Sequence, residues 1–461
     1  MPSVSATIQD YAQALEYLHR RIDYEKIPIS LSSSSEFRLD RMTALLAPLG
    51  DPHTRWPAVH VAGTKGKGST ATMIAAILTA AGLRTGLYTS PHLLKLEERF
   101  AVDGQPCTAE DVIDLARRTA AAEEVARDAD GSPLQATFFE ATTAMAIAHF
   151  ADRQVDVAAL EVGLGGRLDS TNVCQPAVCV ISSIGFDHMK QLGYDLGSIA
   201  REKAGILKPG VPAVVGVTDP EPLSAIRDVA AQRRAELLAV EQDFGLVDRE
   251  EAGAFDYFDR FEGEEFRLER LIVHLPGAHQ KRNGALAVAA VRQLCRSFPG
   301  IGEAAIREGL ASAFCRARIE RACEKPLTYV DSAHTVESLA ALLETLETEL
   351  RARPLVTIFG VSRDKPWRAM LDLLAPRCRT LILTKYVENP RAAEPEEMAD
   401  YLASDEFPGG SATPPIVART PAEAWEKYLA ATDERTLGCV VGSFFLAAET
   451  LPLIDATCRK T

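Results

Sequence analysis

The chain has 461 residues, enough for two to three domains with ample core. Hydrophobic residues make up 47% and charged residues 25%, the balance of a soluble globular protein. A formal net charge of −14 argues against broad nucleic-acid binding, and the polar, charged first two dozen residues hold no apolar run of a secretory signal.

In chain order, Tyr11, Leu15, Leu18 and Ile22 have helical spacing, and the serine run Ser32–Ser35 reads as a loop. A second amphipathic helix carries Leu39, Met42, Leu45, Leu46 and Leu49 and stops at Gly50 and Pro52. Next comes AVHVAGTKGKGSTATMIAAILTAA, residues 58–81: a short buried strand, a glycine-rich turn and a helix of small and apolar residues. Gly63, Gly66 and Gly68 let the backbone come close to a phosphate, and Thr64 lies in the same turn. Lys67 brings a full positive charge, and Ser69 or Thr70 offers a hydroxyl to Mg²⁺. The pattern departs from G-x-x-x-x-G-K-[ST], because Gly68 separates the lysine from the hydroxyl. The plain alternative is a glycine-rich turn with a solvated lysine.

A strand over 84–89 ends in Thr-Ser-Pro-His, with Ser90 either at a site rim or serving as a turn or cap serine. Residues 108–128 and 138–151 read as helices, and 155–162 as a buried strand with Glu161 near its end. An acid there is a candidate partner for nucleotide-bound Mg²⁺, against the alternative of a surface carboxylate. A strand over 177–184 leads to Asp187 and His188, a candidate metal ligand on the same rim. A helix over 198–207 holds Lys203 beside Glu202, which by spacing alone is a surface ion pair. Then follow a strand over 211–217, strands or an edge sheet over 240–275, and a helix over 283–296.

A second α/β rhythm starts near 317, with strands over 327–330, 354–359, 381–383 and 439–441 and a helix over 336–350. Arg318 and Asp331 open it, either as a salt bridge between domains or as part of a cleft. Nine scattered cysteines show no C-x-x-C pair or zinc spacing and read as the reduced thiols of a cytosolic protein. The greasiest stretch, 438–454, is broken by Ser443, Glu449, Thr450 and Pro452 and is too interrupted for a membrane span. The fold class expected is α/β: a P-loop parallel-sheet ATPase domain over 1–314 and a smaller Rossmann-like α/β domain over 317–461.

Taken together, these motifs resemble the folylpolyglutamate synthase and dihydrofolate synthase family of the Mur ligase superfamily. The resemblance rests on AGTKGKGST (62–70), TSPHL (89–93), TFFEATTAMA (137–146), LEVGLGGRLDSTN (160–172), FDH (186–188) and REKAGILKPG (201–210). It continues through HQKRN (279–283), RARIE (316–320), DSAHT (331–335), FGVSRDK (359–365) and GSFFL (442–446). It implies an ATP-dependent ligase that activates a folate carboxylate as an acyl phosphate and adds L-glutamate, either alone or with dihydrofolate synthase activity on dihydropteroate in the same chain. ATP and Mg²⁺ are the cofactors implied, and a cytoplasmic monomer acting on small molecules, with no nucleic acid or membrane partner, is expected.

By position, Gly66–Ser69 match the phosphate cradle, Ser90, Glu161 and His188 the Mg²⁺ ligands, and Lys203 a lysine carbamylated in the family to hold a second Mg²⁺. Lys67, Lys203, His188 and Glu161 are the catalytic set so implied. Asn283, Arg318 and Asp331 match ATP contacts, with His334 close by. Thr137, Phe138, Phe139 and Glu140, with Leu168, Asp169 and Ser170, match the pterin-binding surface, where one of the two phenylalanines can equally be core. Lys65 stands where many bacterial members have asparagine, Thr335 follows the histidine where asparagine is frequent, and Arg316-Ala317-Arg318 replaces Pro-Gly-Arg. Two readings stand beside this one: a Mur-type ligase for another carboxylate, and an ATPase switch that ligates nothing.

Overall fold

The computed structural model describes residues 4–24, 38–261, 263–409 and 414–458, and the serine run Ser32–Ser35 lies outside them. The chain divides into two compact units, one of Met1–His274 with Gln280–Phe314, the other of Leu275–His279 with Cys315–Thr461.

The first unit is built on eight strands: β1 (Ala58–Ala62), β2 (Thr85–Tyr88), β3 (Phe100–Val102), β4 (Gln105–Pro106), β5 (Val157–Glu161), β6 (Pro176–Ile181), β7 (Ala213–Val215) and β8 (Leu237–Ala239). They lie in the order β4-β3-β2-β5-β1-β6-β7-β8. β1 is flanked by parallel β5 and β6, and all five of its residues are buried. A strand covered on both faces has no polar side to alternate with, which is why AVHVA and VAALE are nearly unbroken apolar runs. β3 and β4 form an antiparallel hairpin at the edge that the sequence reading missed, since both are too short to show a period.

The helix Phe138–Asp152 is a core element, with twelve of its fifteen residues buried. Its start is a reciprocal cap: Thr137 Oγ1 accepts from the Glu140 N–H at 3.2 Å, and Glu140 Oε2 accepts from the Thr137 N–H at 2.8 Å. The stretch 240–275, read as strands or an edge sheet, folds as an antiparallel sheet of β9 (Phe244–Asp248), β10 (Ala254–Asp259) and β11 (Phe266–Ile272).

The second unit holds β12 (Glu320–Glu324), β13 (Leu327–Val330), β14 (Leu355–Phe359), β15 (Cys378–Leu383), β16 (Ile416–Val417) and β17 (Leu437–Val441), ordered β12-β13-β17-β14-β15-β16. Only β12 runs antiparallel to its neighbour. The greasy stretch near the end divides into β17 and the helix Phe444–Cys458, which tolerates Pro452 within it. Among the described residues no helix is long and apolar enough to cross a membrane.

The expectation of reduced thiols is corrected at one pair: Cys323 on β12 and Cys458 in the last turn of the final helix form a disulfide across 135 residues. The other seven cysteines carry none. A cross-link closing so long a loop restricts the unfolded chain strongly, by about 3 kcal/mol in typical cases. Cys458→Ser should therefore lower the unfolding midpoint of the oxidised protein by about 10 °C. Calorimetry with and without a reductant checks this: the reduced parent should melt with the variant.

Candidate active site

β1 ends between the carboxyl ends of two parallel neighbours, the place where open α/β sheets hold ligands. The turn that follows is pinned to the segment after β6. Thr64 N–H donates to Ser183 O at 2.8 Å, Lys65 N–H to Ser183 Oγ at 2.9 Å, and Ser182 Oγ donates to Lys65 O at 2.7 Å. Thr64 Oγ1 donates to Gly185 O at 3.1 Å and accepts from Gly185 N–H at 3.0 Å. Gly66 has φ 80 and caps the helix Lys67–Ala80 without any side-chain bond. The first N–H groups of that helix are thus left for an anion, beside the half-buried Lys67. Gly63 and Gly66 admit no side chain: a Cβ at Gly63 would lie 2.0 Å from Ser182 Oγ, and one at Gly66 2.5 Å from Asn283 Oδ1.

Asn283 sits on the helix Ala278–Arg292, where its Nδ2 donates to Gln280 Oε1 at 2.9 Å, and Gln280 Nε2 donates to Ser69 Oγ at 3.4 Å. Gln280, 2% exposed, was not singled out from sequence, although it lies within HQKRN. The helix expected over 283–296 begins earlier, at Ala278, and so includes it.

Glu161 ends β5 level with Val61, and its Oε2 accepts from the Ser90 N–H at 3.1 Å. It closes on the phosphate loop so tightly that a Cβ on Gly68 would lie 3.2 Å from Oε2. Thr70 Oγ1, fully buried in the same helix turn, has no hydrogen-bond partner. Oxygen donors of this kind suit Mg²⁺, which keeps waters and takes one or two carboxylates alongside phosphate oxygens. Among the described residues no group of three or more His, Cys, Asp and Glu side chains forms a ready metal cage. His188 lies beyond the end of β6 in the left-handed region (φ 50), half-exposed, with Nε2 3.8 Å from Asp187 Oδ1.

Lys203 departs furthest from its plain sequence reading. It is 4% exposed, and Nζ donates to Gly63 O at 2.9 Å, under the phosphate loop. Glu202 pairs instead with Arg167, at 2.9 Å. Burial, and then the positive charge of Lys67, pull the Lys203 ammonium down to about 7, with Asp187 and Asp169 acting in the opposite sense.

Of the expected pterin surface, Phe138 is core, and Glu140 is buried against Arg41, with Nε 2.9 Å from Oε1. Phe139 is half-buried beside Tyr88, and its ring lies where a Cβ on Gly163 would be, 2.4 Å away. Leu168 and Ser170 are half-buried. Asp169 between them is 6% exposed and accepts from Leu164 N–H at 2.9 Å and Thr171 N–H at 3.0 Å.

Arg318, Asp331 and His334 form a cluster in the second unit. Asp331 follows β13 and accepts from Ile319 N–H and Ala333 N–H, both at 2.7 Å. Burial raises its carboxyl above the ordinary range, with Arg318 opposing. Arg318 Nη1 donates to Ser332 Oγ, and His334 Nδ1 lies 2.9 Å from Ser332 O.

Two family models match the chain: the Mur ligase middle domain over residues 61–291, and the Mur ligase glutamate ligase domain over 317–444. A dihydrofolate synthase/folylpolyglutamate synthase of Bacillus subtilis is 35% identical over 85% of this chain and 88% of its own length. Among solved structures, Escherichia coli FolC in complex with DHPP and ADP superposes with TM-score 0.81 at 30% identity, covering 100% of both chains. Mycobacterium tuberculosis folylpolyglutamate synthase complexed with ADP gives 0.83 at 32% identity, covering 96% of this chain and 98% of its own. The chain belongs to the folylpolyglutamate synthase/dihydrofolate synthase family. It is an ATP-dependent ligase.

Within this ligase Arg316 and Arg318 have different partners. Arg316 is engaged by Glu320 at 3.1 Å and Asp455 at 3.5 Å, which leaves Arg318 facing the Asp331–Ser332 turn. Ala317 between them, standing where glycine is common, holds φ 52. The left-handed turn has been kept without the residue that adopts it freely. Ala317→Gly should stabilise the second unit by about 1 kcal/mol, read as a higher denaturant midpoint with an unchanged slope.

Proposed function

We propose that this ligase joins the amine of L-glutamate to the carboxylate of reduced folates, and of dihydropteroate as well, through an acyl phosphate. The observation that carries the reading is the convergence of Glu161 and the buried Lys203 amine on one glycine-rich phosphate loop, at Gly68 and Gly63. The bifunctional name of the Bacillus subtilis relative, and the DHPP and ADP held by the Escherichia coli protein, support it.

A carboxylate is a poor electrophile until one of its oxygens becomes a good leaving group. Transfer of the γ-phosphoryl group of ATP to that oxygen releases ADP and gives the acyl phosphate. The neutral amine of glutamate then adds to the carbonyl carbon, and the tetrahedral intermediate collapses with loss of phosphate and the amine proton. The N–H groups of Gly66–Ser69 and the Lys67 ammonium hold the phosphates and spread the charge in transit. Glu161, Ser90, His188 and a carbamylated Lys203 would hold Mg²⁺, which when bound supplies positive charge opposite the phosphate oxygens. Asn283, Arg318, Asp331 and His334 bind the rest of ATP. The half-buried Phe139, with Leu168 and Ser170, offers the pterin an aromatic and apolar surface. The protein works as a cytoplasmic monomer on small molecules.

The test uses purified protein, ATP, Mg²⁺ and radiolabelled glutamate with either tetrahydrofolate or dihydropteroate. Label should enter the product with both acids, and ADP should form only when acid and glutamate are present together. ADP release indifferent to both would return the chain to a bare ATPase.

A further inference from the structure

A buried chain of side chains runs beneath the loop that carries Leu168–Ser170, and it starts on the strand that feeds the phosphate loop. His60 is the middle residue of β1, 0% exposed, between Leu160 of β5 and Cys179 of β6. Its Nε2 lies 2.8 Å from Thr171 Oγ1. Thr171, 1% exposed, donates its hydroxyl hydrogen bond to Asp169 Oδ1, and Asp169 accepts from the backbone N–H groups of Leu164 and Thr171.

The donor count fixes the tautomer. The Asp169 oxygens accept from backbone N–H groups, so the Thr171 hydroxyl donates to Oδ1 and its oxygen is left as an acceptor. His60 must supply the N–H from Nε2, which leaves Nδ1 bare, and Nδ1 has no hydrogen-bond partner. Burial pushes the imidazole down to about 3, so the ring is neutral over the whole working range. A histidine is an expensive choice for the centre of an all-apolar strand when one of its nitrogens goes unpaired. A purely packing role would be met by leucine or phenylalanine.

We propose that His60 is a positioning residue for the pteroyl-bearing substrate: through Thr171 it fixes Asp169 and with it the Leu168–Ser170 face. The inference rests on the reading that this face binds the pteroyl group. Asp169 by itself needs a hydroxyl partner that cannot rotate away, because a free rotor can point at either neighbour. The Nε2–H removes that freedom by occupying the lone-pair side of Thr171 Oγ1. The loop that meets substrate is thereby referenced to β1, the same strand from which the ATP phosphates are held three residues later.

The experiment compares the parent enzyme with His60→Phe, His60→Gln, Thr171→Val and the double variant His60→Phe/Thr171→Val, in the steady-state ligase assay, with melting curves for each. His60→Phe keeps an aromatic ring, slightly larger, but removes the N–H. It should raise KM for the pteroyl acid about tenfold, the effect of one lost buried hydrogen bond, and leave KM for ATP within about twofold. His60→Gln returns an amide N–H near the same place and should recover most of the loss. Thr171→Val should match His60→Phe, and the double variant should be no worse than either single one. A His60→Phe enzyme with unchanged KM values, or one in which both KM values and the melting point worsen together and glutamine rescues nothing, would overturn the proposal and leave His60 a core residue. A parent enzyme that ligates no pteroyl acid would overturn instead the reading beneath it.

Discussion

Lys203→Ala should abolish glutamate ligation, and Lys203→Arg should abolish it equally. The pair is informative because arginine keeps the positive charge and much of the length, and fails only at what a neutral amine can do. In the structure the Lys203 amine is buried, donates to Gly63 O at 2.9 Å and is opposed by the charge of Lys67. Burial, and after it the Lys67 charge, favour the uncharged form and bring the pKa to about 7. At neutral pH a large share of the amine is therefore free to add to CO₂, forming the N–C bond of a carbamate and releasing one proton. The product is an anion, so a repulsion between two lysines becomes an attraction, beneath the Gly63 end of the phosphate loop. The sign with pH follows: below pH 7 the neutral fraction falls about tenfold per unit, so activity restored by CO₂ should fall with it on the acid side and level off above. A ¹³C resonance of the carbamate after equilibration with labelled bicarbonate should appear in the parent and be absent from both variants. Acetate or formate should partly rescue Lys203→Ala, whose vacated space accepts a small carboxylate. Full activity in Lys203→Arg would reduce Lys203 to an anchor for the Gly63 carbonyl.

Which parts of this site could be read from sequence depends on how local their causes are. The phosphate loop and Glu161 were legible because each ends a short apolar run, and a run covered on both faces declares itself without its neighbours. β13 was legible for the same reason, with Asp331 just past its end. Lys203 was not: its nearest residue in sequence, Glu202, suggested an ion pair, while its partner Gly63 lies 140 residues away. The same holds for His60 and Thr171, and for Cys323 and Cys458, whose pairings exist only once strands have taken their order. Phe138 and Phe139 are adjacent on one helix, so periodicity left both open. Tertiary packing decides between them, burying Phe138 and leaving Phe139 to lie against Gly163. The one family departure with a clear physical cost, Ala317, needed a backbone angle to be seen at all.

Gly66→Ala should lower kcat/KM for ATP by at least about 100-fold, nearly 3 kcal/mol at the transition state. Two separate effects act at this position. The backbone has φ 80, which an L side chain adopts at a cost of about 1 kcal/mol. The added Cβ would also meet Asn283 Oδ1 at 2.5 Å, with the Asn283 amide carbon and nitrogen at 3.1 and 3.2 Å behind it. Asn283 cannot swing away freely, because it is 8% exposed and tied to Gln280 at 2.9 Å, which itself reaches Ser69. Relief of the clash must therefore move either the glycine-rich loop or the chain of amides that backs it, and either movement displaces the uncapped N–H groups at the start of the helix Lys67–Ala80. Gly82 provides the control. Its φ is 82, almost the same, but a Cβ there would meet nothing within 4 Å. Gly82→Ala should lose about 1 kcal/mol of stability from the backbone alone and keep its kinetics. The difference between the two variants isolates the contact with Asn283. Gly66→Ala/Asn283→Ala, which removes the obstructing amide, should not recover activity if Asn283 also binds ATP, whereas recovery would show that Asn283 only fills space beneath the loop.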